Sequence, residues 1–353
     1  MLSAFKVRDF RCFATQEAEF GAGLNLIVGP NAHGKTSLLE AACILLRLQS
    51  PRTTRLADVV QHDKRGFVVD GYFSQRHLQF YYSSTRKKMA MDSVEQKSAR
   101  EYLQVGRLVY FAMSDVELVR GAAEVRRRFL DFVAGQRDGG YLPMLRSYER
   151  ALRSRNALLK APAPRWAEID AFDGPLLSAG TDLDCARRTL LAELQPEVDA
   201  AHCAISGARE NIALEYLPGA GEDFAATLAA SRGEDARLRQ TTVGPHRDDV
   251  QFHVNGRPSR FASEGQQRTL ALALKLGAAR LLEHRFEAPP LLLLDDIFGE
   301  LDLARRAALL AALPAESQKI VTLTHLDWMP PGTDARILRL GATIPEPEER
   351  RDG

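Results

Sequence analysis

The sequence predicts an α/β fold interrupted by an inserted helical arm. Three observations lead there. The apolar run Leu24 to Val28 passes through a glycine turn straight into a helical repeat; the apolar run Leu291 to Leu294 ends on the carboxylates Asp295 and Asp296; and residues 118–238 carry mostly helical periodicity. The expected division is an N-terminal half of the α/β head over 1–117, the arm over 118–238, and the C-terminal half of the head over 239–353.

Taken in order, Ala4 to Val7, Thr15 to Phe20 and Leu24 to Val28 read as short strands bounded by Gly, Asn and Asp. After GPNAHGKTS, the residues Leu38, Leu39, Ala42, Leu45, Leu46 and Leu48 recur at helical spacing. Residues 66–82 and 107–112 are β-rich. Helical pattern then covers Ala122 to Val133, Tyr141 to Lys160 and Trp166 to about Ile205, broken at Asp138-Gly139-Gly140, Pro162 and Pro164. Leu176, Leu183, Leu190, Leu194, Val198 and Ala201 mark one face of the last helix, which should pack along its length against a neighbour; the heptads are too few for a long coiled coil. Val250 to Val254 predicts a strand closed by a turn at Asn255-Gly256, and Arg268 to Glu283 a helix ended by Pro289 and Pro290. Ile320 to Thr324 is a further strand, and the charged tail after Ile344 reads as frayed.

Composition excludes several classes. A chain of 353 residues with 45% hydrophobic and 26% charged content is ordinary for a globular protein of more than one core. It has no run of eighteen apolar residues, and its N-terminus mixes charge into the first apolar positions, so the expected location is the cytoplasm and no membrane partner is expected. Cys12, Cys43, Cys185 and Cys203 are scattered, which fits reduced thiols better than disulfides or zinc. The net charge of +1 hides a segregation: residues 120–165 hold eleven Lys/Arg against four Asp/Glu, and residues 166–240 six against fourteen. Such segregation can attract phosphate to one face, although solvated helix faces alone produce it too.

Gly29, Pro30, Asn31, Ala32, His33, Gly34, Lys35 and Thr36 fit the pattern G-x-x-x-x-G-K-[ST] between a strand and a helix. Glycines let backbone amides fold around phosphates, Lys35 bridges the β- and γ-phosphates, and Thr36 ligates Mg²⁺, which makes ATP and Mg²⁺ the expected ligands. The strand 291–294 delivers Asp295 to its C-terminal edge as a second Mg²⁺ ligand, and Asp296 points differently, placed to orient or deprotonate the attacking water. Phe261-Ala262-Ser263-Glu264-Gly265-Gln266-Gln267 stands 32 residues before Asp295, directly ahead of a helix.

That last segment resembles the signature motif of ABC-type P-loop ATPases, and the fold expected is therefore an ABC-type P-loop ATPase head with the helical arm subdomain inserted. In such proteins the Ser hydroxyl and Gly amide bind the γ-phosphate held by the other subunit, so the resemblance assigns that role to Ser263 and Gly265, with Gln266 beside them. The bland alternative for Ser263 is an ordinary helix N-cap. Gly299-Glu300-Leu301-Asp302 resembles the loop that touches the opposite site, and His325 stands where such ATPases carry a γ-phosphate-sensing histidine.

The segments GPNAHGKTSLLEA, LVRGAAEVRRRFLD, TTVGPHRDD, FASEGQQRTLALALKLG and LLLLDDIFGELD together resemble the RecF family of bacterial recombinational-repair ATPases, relatives of structural-maintenance-of-chromosomes heads. Two departures stand out: Ala32 replaces a usual glycine, and Ala112-Met113-Ser114-Asp115 replaces a more usual Ser-Pro-Glu-Asp. The resemblance implies an ATP-dependent head-to-tail homodimer on duplex DNA near single-strand gaps, slow DNA-stimulated hydrolysis, and work with RecO and RecR in loading RecA. It leaves His246, Arg247 and Asp248 open between coupling nucleotide to DNA and locking a turn. A transporter nucleotide-binding subunit shares the ATP motifs but predicts a compact insert, and a nucleotide-gated module without hydrolysis is the other rival, because an aspartate stands where a glutamate base is usual. For DNA, the expected basic stripe joins Arg126, Arg127 and Arg128, at least one of them pairing with Glu124 or Asp131, to Arg146, Arg150, Arg153 and Arg155 on the next helix.

Overall fold

The computed structural model describes residues 1–161, 165–207, 210–326 and 333–341. The prolines expected to break the arm at 162 and 164 and the charged tail after Ile344 lie outside the described residues. The chain divides into two compact units, one made of Met1–Met113, Pro289–Asp302 and Pro314–Gly353, the other of Ser114–Ala288 and Leu303–Leu313. The first boundary falls close to the expected 117/118. The second does not fall at 239, because the segment up to Ala288 belongs with the helical unit.

The first unit begins with β1 (Leu2–Phe10) and β2 (Phe13–Glu19), an antiparallel hairpin. β3 (Leu24–Val28) is four-fifths buried and leads through the glycine turn into α1 (Lys35–Arg47). Then come β4 (Gly66–Phe73), β5 (Arg76–Ser83), β6 (Lys87–Met91) and β7 (Val94–Glu95), a short helix α2 (Ala99–Tyr102), and β8 (Leu108–Ala112). β1, β2 and β4 to β7 form one antiparallel sheet in the order β2-β1-β4-β5-β6-β7. Helix α1 packs on strands of this sheet and of the parallel sheet described below, which is why all but one of its residues are buried and its sequence is apolar nearly all round.

The second unit carries α3 (Glu117–Arg120), α4 (Ala123–Arg137), α5 (Tyr141–Leu159), α6 (Trp166–Asp170) and α7 (Asp173–Ser206). β9 (Ile212–Leu217), α8 (Phe224–Ala230), α9 (Arg232–Leu238), β10 (Asp249–Val254), β11 (Arg257–Pro258) and α10 (Glu264–Phe286) complete its continuous part. The stripe Leu176, Leu183, Leu190, Leu194, Val198 and Ala201 on α7 is wholly buried, as its periodicity predicts. What covers α7 is α5 together with α10, the helix that follows the signature segment. A Cβ on Gly277 of α10 would come within 2.8 Å of Val198 Cγ2 and 3.0 Å of the Val198 backbone nitrogen, so the two helices cross at backbone contact there. This packing is the physical reason that 239–288 joins the helical unit.

The chain returns to the first unit with β12 (Leu291–Asp295), passes through α11 (Leu303–Ala312), which packs on α7 in the second unit, and ends its described part with β13 (Lys319–Leu323) and β14 (Ala335–Arg339). These strands form an all-parallel sheet in the order β14-β3-β13-β12-β8. The leucines of β12 are at most 2% exposed, consistent with a central strand of a sheet covered on both faces.

Candidate functional site

In the first unit the parallel sheet brings the ends of β3, β12 and β13 side by side, because Leu323 registers with Val28 and Thr322 with Asp295. Gly29 to Thr36 therefore wraps the edge that carries Asp295. Two glycines of the loop are required by space: a Cβ on Gly29 would lie 2.4 Å from the Leu340 carbonyl oxygen, and one on Gly34 would lie 2.3 Å from the Phe13 ring, with Gly34 also at φ 87°. Ala32 sits at φ 67°, a left-handed conformation that costs an alanine about 1–2 kcal/mol and a glycine almost nothing in steric terms. The usual glycine thus has a geometric reason, and the loop keeps its shape with alanine in its place.

Lys35 is nearly buried, and its ammonium donates to the carbonyls of Gly29 and Pro30 at 2.7 and 2.9 Å. Burial lowers its pKa, opposed by the nearby carboxylates Asp296 and Asp295. Within the loop, His33 Nδ1 lies 2.9 Å from the Asn31 carbonyl. Thr36 Oγ1 donates to Asp295 Oδ1 at 2.8 Å, Thr322 Oγ1 to the same oxygen at 2.9 Å, and Tyr110 Oη to Oδ2 at 2.8 Å. Burial and Asp295 push the Tyr110 hydroxyl pKa far up, so it remains a donor to the carboxylate. Asp296 turns the other way: it adopts φ 53°, its amide donates to Thr322 Oγ1, and it lines a cleft of about 530 Å³ with Lys35 and Thr36.

The donor set suits Mg²⁺. A hydroxyl and a carboxylate oxygen in contact at the cleft floor offer two hard ligands, the usual protein share for an ion that completes its octahedron with water and phosphate oxygens. Among the described residues no group of three His, Cys, Asp or Glu side chains forms an all-protein cage.

Sequence reasoning missed the cationic wall of this cleft, formed by Arg11 and Arg52. Both reach Glu40 of α1, a fully buried carboxylate: Arg11 grips it through Nε and Nη2 at 2.9 and 2.8 Å, Arg52 approaches at 3.5 Å, and Ser50 donates at 2.6 Å. The hydrogen bond to Glu40 raises the Arg11 pKa against its partial desolvation. A glutamate inside an otherwise apolar helical run was the signal available, since a buried charge requires a partner.

In the second unit Ser263 is the N-cap of α10 in a capping box: its Oγ accepts from the Gln266 amide at 3.3 Å and the Gln266 side chain accepts from the Ser263 amide at 2.9 Å. The Gln266 side-chain amide also donates to Glu210 at 2.7 Å, so that residue is occupied structurally. Gly265 faces Arg305 of α11, whose guanidinium would lie 3.1 Å from an added Cβ. His325, in the first unit, is exposed two residues beyond β13, on the sheet edge that carries Asp295.

The expected basic stripe is corrected in part. Arg155 is fully buried, bound to Asp173, Asp235 and Thr241, because its position on α5 faces the core and not solvent. Arg126 forms a two-pronged ion pair with Asp249 and donates to the Gly121 carbonyl, and Arg127 donates to the Asp248 carbonyl. Among the described residues no hydrogen bond or close ion pair joins this cluster to Glu124 or Asp131; Glu124 acts on Arg127 only through its charge, and Asp131 is taken by Arg187 and Tyr141. Arg153 is exposed beside Glu149 at 3.5 Å. Arg128, Arg146 and Arg150 are exposed with no described side-chain partner.

The segment 244–249 is mostly a structural lock. Asp248, 2% exposed, accepts from Arg187 Nη1 at 2.6 Å, from the Gly219 amide at 2.8 Å and from Tyr216. Burial lowers the Arg187 pKa, but Asp131, Tyr141 and Asp248 outweigh it and raise the net value well above normal. His246 lies between the Tyr148 hydroxyl at Nδ1, 2.7 Å, and the Thr241 carbonyl at Nε2, 3.0 Å; the carbonyl can only accept, so Nε2 carries a proton, and in the neutral ring Nδ1 accepts from the hydroxyl. Its pKa is lowered to about 4, chiefly by burial. Arg247 alone of the three is exposed, with no described side-chain partner.

This geometry has known relatives. The sequence profile of the RecF/RecN/SMC N terminal domain matches residues 1–330. The DNA replication and repair protein RecF of Synechococcus sp. (strain JA-2-3B'a(2-13)) is 35% identical over 376 residues, covering 100% of this chain and 99% of that protein. The chain belongs to the RecF family. A solved structure of the recombination mediator protein RecF with ATP, of the RecFOR pathway, superposes with a TM-score of 0.86 at 30% identity, covering 96% of this chain and 95% of that one. An SMC head bound to the C-terminal winged-helix domain of ScpA shares the fold at a TM-score of 0.51 and 13% identity, over 92% and 90% of the two chains. The RecF-family chain therefore has the ABC-type ATPase head architecture expected from its motifs. Among its described residues no helix is long and apolar enough to cross a membrane.

Proposed function

We propose that this RecF-family chain is a cytoplasmic, DNA-binding ATPase of recombinational repair that dimerises head-to-tail on ATP and is reset by slow, DNA-stimulated hydrolysis. The observation that carries the reading is the convergence of Lys35, Thr36, Asp295 and Asp296 on one cleft. In this reading Lys35 exchanges its two loop carbonyls for the β- and γ-phosphates, Thr36 and Asp295 hold Mg²⁺, and Asp296 orients the attacking water. Magnesium, when bound, neutralises charge on the phosphates. The loop amides of 29–36 bind phosphate oxygens, while Ser263 and Gly265 of a second copy close on the γ-phosphate, with His325 as its sensor. The name of the solved relative, a recombination mediator with ATP in the RecFOR pathway, supports the nucleotide and the pathway; in the same reading the chain works with RecO and RecR at gapped duplexes and aids RecA loading.

Sedimentation of the full chain with ATP and Mg²⁺, with and without duplex DNA, tests nucleotide, dimer and DNA together. The expected result is an ATP-dependent dimer that Lys35→Ala abolishes; a Lys35→Ala chain that still dimerises on ATP overturns the reading. A nucleotide-gated module without turnover is the second reading, favoured by the short Asp296 side chain. Single-turnover hydrolysis with and without duplex separates the two.

A further inference from the structure

The second unit carries a cleft of about 250 Å³ that the nucleotide chemistry does not use. Arg120 and Gly121 at the end of α3, Arg126 of α4, Leu217 of β9 and the segments 249–252 and 258–260 line it, and among the described residues none of its lining comes from α10. Val250 and Phe252 line it although their side chains are only 2% and 4% exposed, so what they present to it is main chain. The register explains this. The Asn255 amide donates to the Asn211 carbonyl at 2.8 Å, and in the antiparallel pairing every second residue back from it, His253, Gln251 and Asp249, faces β9 as well. Val254, Phe252 and Val250 face the other way. β11 takes Val254 through Arg257 but ends at Pro258, where the chain leaves the sheet in the turn Ser259–Phe261. The Val250 amide donates to the Asp249 carboxylate at 2.8 Å. The Phe252 amide and carbonyl and the Val250 carbonyl are left along the cleft, in the order in which a strand offers them to a neighbour.

We propose that this free edge of β10 is a strand-addition site for an extended, acidic segment of a partner protein. The inference goes beyond the nucleotide reading and does not rest on it. Main chain selects a peptide: two carbonyls need N–H donors and one amide needs an acceptor, and another main chain supplies both at the spacing of a strand, whereas the phosphodiester backbone of DNA only accepts. Charge selects the side chains. The lining holds three arginines and one aspartate; Arg126 and Asp249 neutralise each other in their two-pronged pair, and Arg120 and Arg260 remain. Arg120 meets Glu117 at 2.9 Å, in an exposed pair that a bound carboxylate can share. Arg126 also donates to the Gly121 carbonyl at 2.7 Å, which ties the opposite wall of the cleft to β10 and leaves the slot preformed. Leu217, 39% exposed, offers an apolar contact at one end.

The test selects a phage-displayed library of random heptapeptides on the immobilised full chain without nucleotide, with Arg120→Glu as the counter-target and thermal unfolding as the folding control. The expected result is enrichment of alternating sequences rich in Asp and Glu, whose synthetic copies bind Arg120→Lys like wild type and Arg120→Glu at least about tenfold more weakly. N-methylation of alternate backbone nitrogens in the best peptide should abolish binding, since it removes the strand bonds and keeps the charges. Hydrogen exchange reads the edge directly. In the free chain the Phe252 amide should exchange at least about tenfold faster than those of Gln251 and His253, and bound peptide should slow it to their rate. A Phe252 amide already as protected as its neighbours, a peptide that binds equally well when N-methylated, or a selection that yields no peptide dependent on Arg120 overturns the proposal. Protection of Phe252 by duplex DNA in place of peptide overturns it too, and makes the cleft part of the DNA surface.

Discussion

Thr36 Oγ1 donates to Asp295 Oδ1 at 2.8 Å across 259 residues of sequence, so the phosphate-loop helix and the carboxylate strand bring together the two oxygens proposed to hold magnesium. Asp296, one residue on, is separated from that pair by its left-handed backbone and lines the cleft instead. Substitution of these two neighbouring aspartates should therefore have different effects.

Asp295→Asn removes anionic charge where Thr36, Thr322 and Tyr110 all donate, and should abolish the Mg²⁺ dependence of nucleotide binding. Asp296→Asn should keep ATP and accumulate the dimer, with hydrolysis slowed by about 10²–10⁴-fold, the usual worth of a positioned general base. Equilibrium nucleotide titrations and single-turnover assays check both, and equal behaviour of the two variants would contradict the division of roles.

Ala32→Gly should stabilise the free protein or leave it unchanged, because it removes left-handed strain while adding freedom to the unfolded chain. The net expectation is up to about 1 kcal/mol, and Ala32→Val should be destabilising by more than that. Urea unfolding followed in the first unit measures both signs.

Arginines of α5 only a few positions apart should respond oppositely. Arg155→Met leaves Asp235 buried without its guanidinium and should cost about 3–5 kcal/mol of stability. Reversal of exposed Arg146 and Arg150 to Glu should leave the melting temperature near wild type and weaken duplex binding at every sequence. It should also lower the salt slope of binding by about one unit for each phosphate that is no longer neutralised. An unchanged slope would move the DNA surface elsewhere, with the Arg86-Lys87-Lys88 cluster next in line.

His246 gives a signed pH dependence. Its folded pKa of about 4 lies below the ordinary 6.5, so the unfolded chain binds the proton first. The stability that its neutral form contributes is fully present above pH 6.5 and is lost as pH falls from there toward 4. The slope is about 1.4 kcal/mol per pH unit, a total near 3 kcal/mol. Chemical denaturation of wild type and His246→Gln across that range should show the slope only in wild type.

Much of this was legible in the chain itself. The phosphate-loop pattern, the carboxylates ending an apolar strand and the segment ahead of α10, the last through its resemblance to a signature motif, are local patterns visible in the residues themselves. The α7 stripe was legible for the same reason, since a period of 3.6 over many turns leaves one face to bury. Other strands and helices were not. β9, β14, α8, α9 and α11 are short and largely exposed, so few of their residues are buried, and only their neighbours hold them.

What the sequence by itself determined is a phosphate-loop pattern, an apolar strand ended by carboxylates and a head-type fold, because each motif depends on residues a few positions apart; that Thr36 meets Asp295 across 259 residues was decided by the parallel sheet. What only the tertiary structure decided is which charges are spent. Arg126 and Arg155 look as available in sequence as Arg128 and Arg150, yet the first two are bound to Asp249 and Asp235, and the last two stand in solvent. Helical spacing places an arginine on a face, but whether that face meets water or a carboxylate distant in sequence is set by long-range packing. A buried guanidinium must find such a partner, and an exposed one need not.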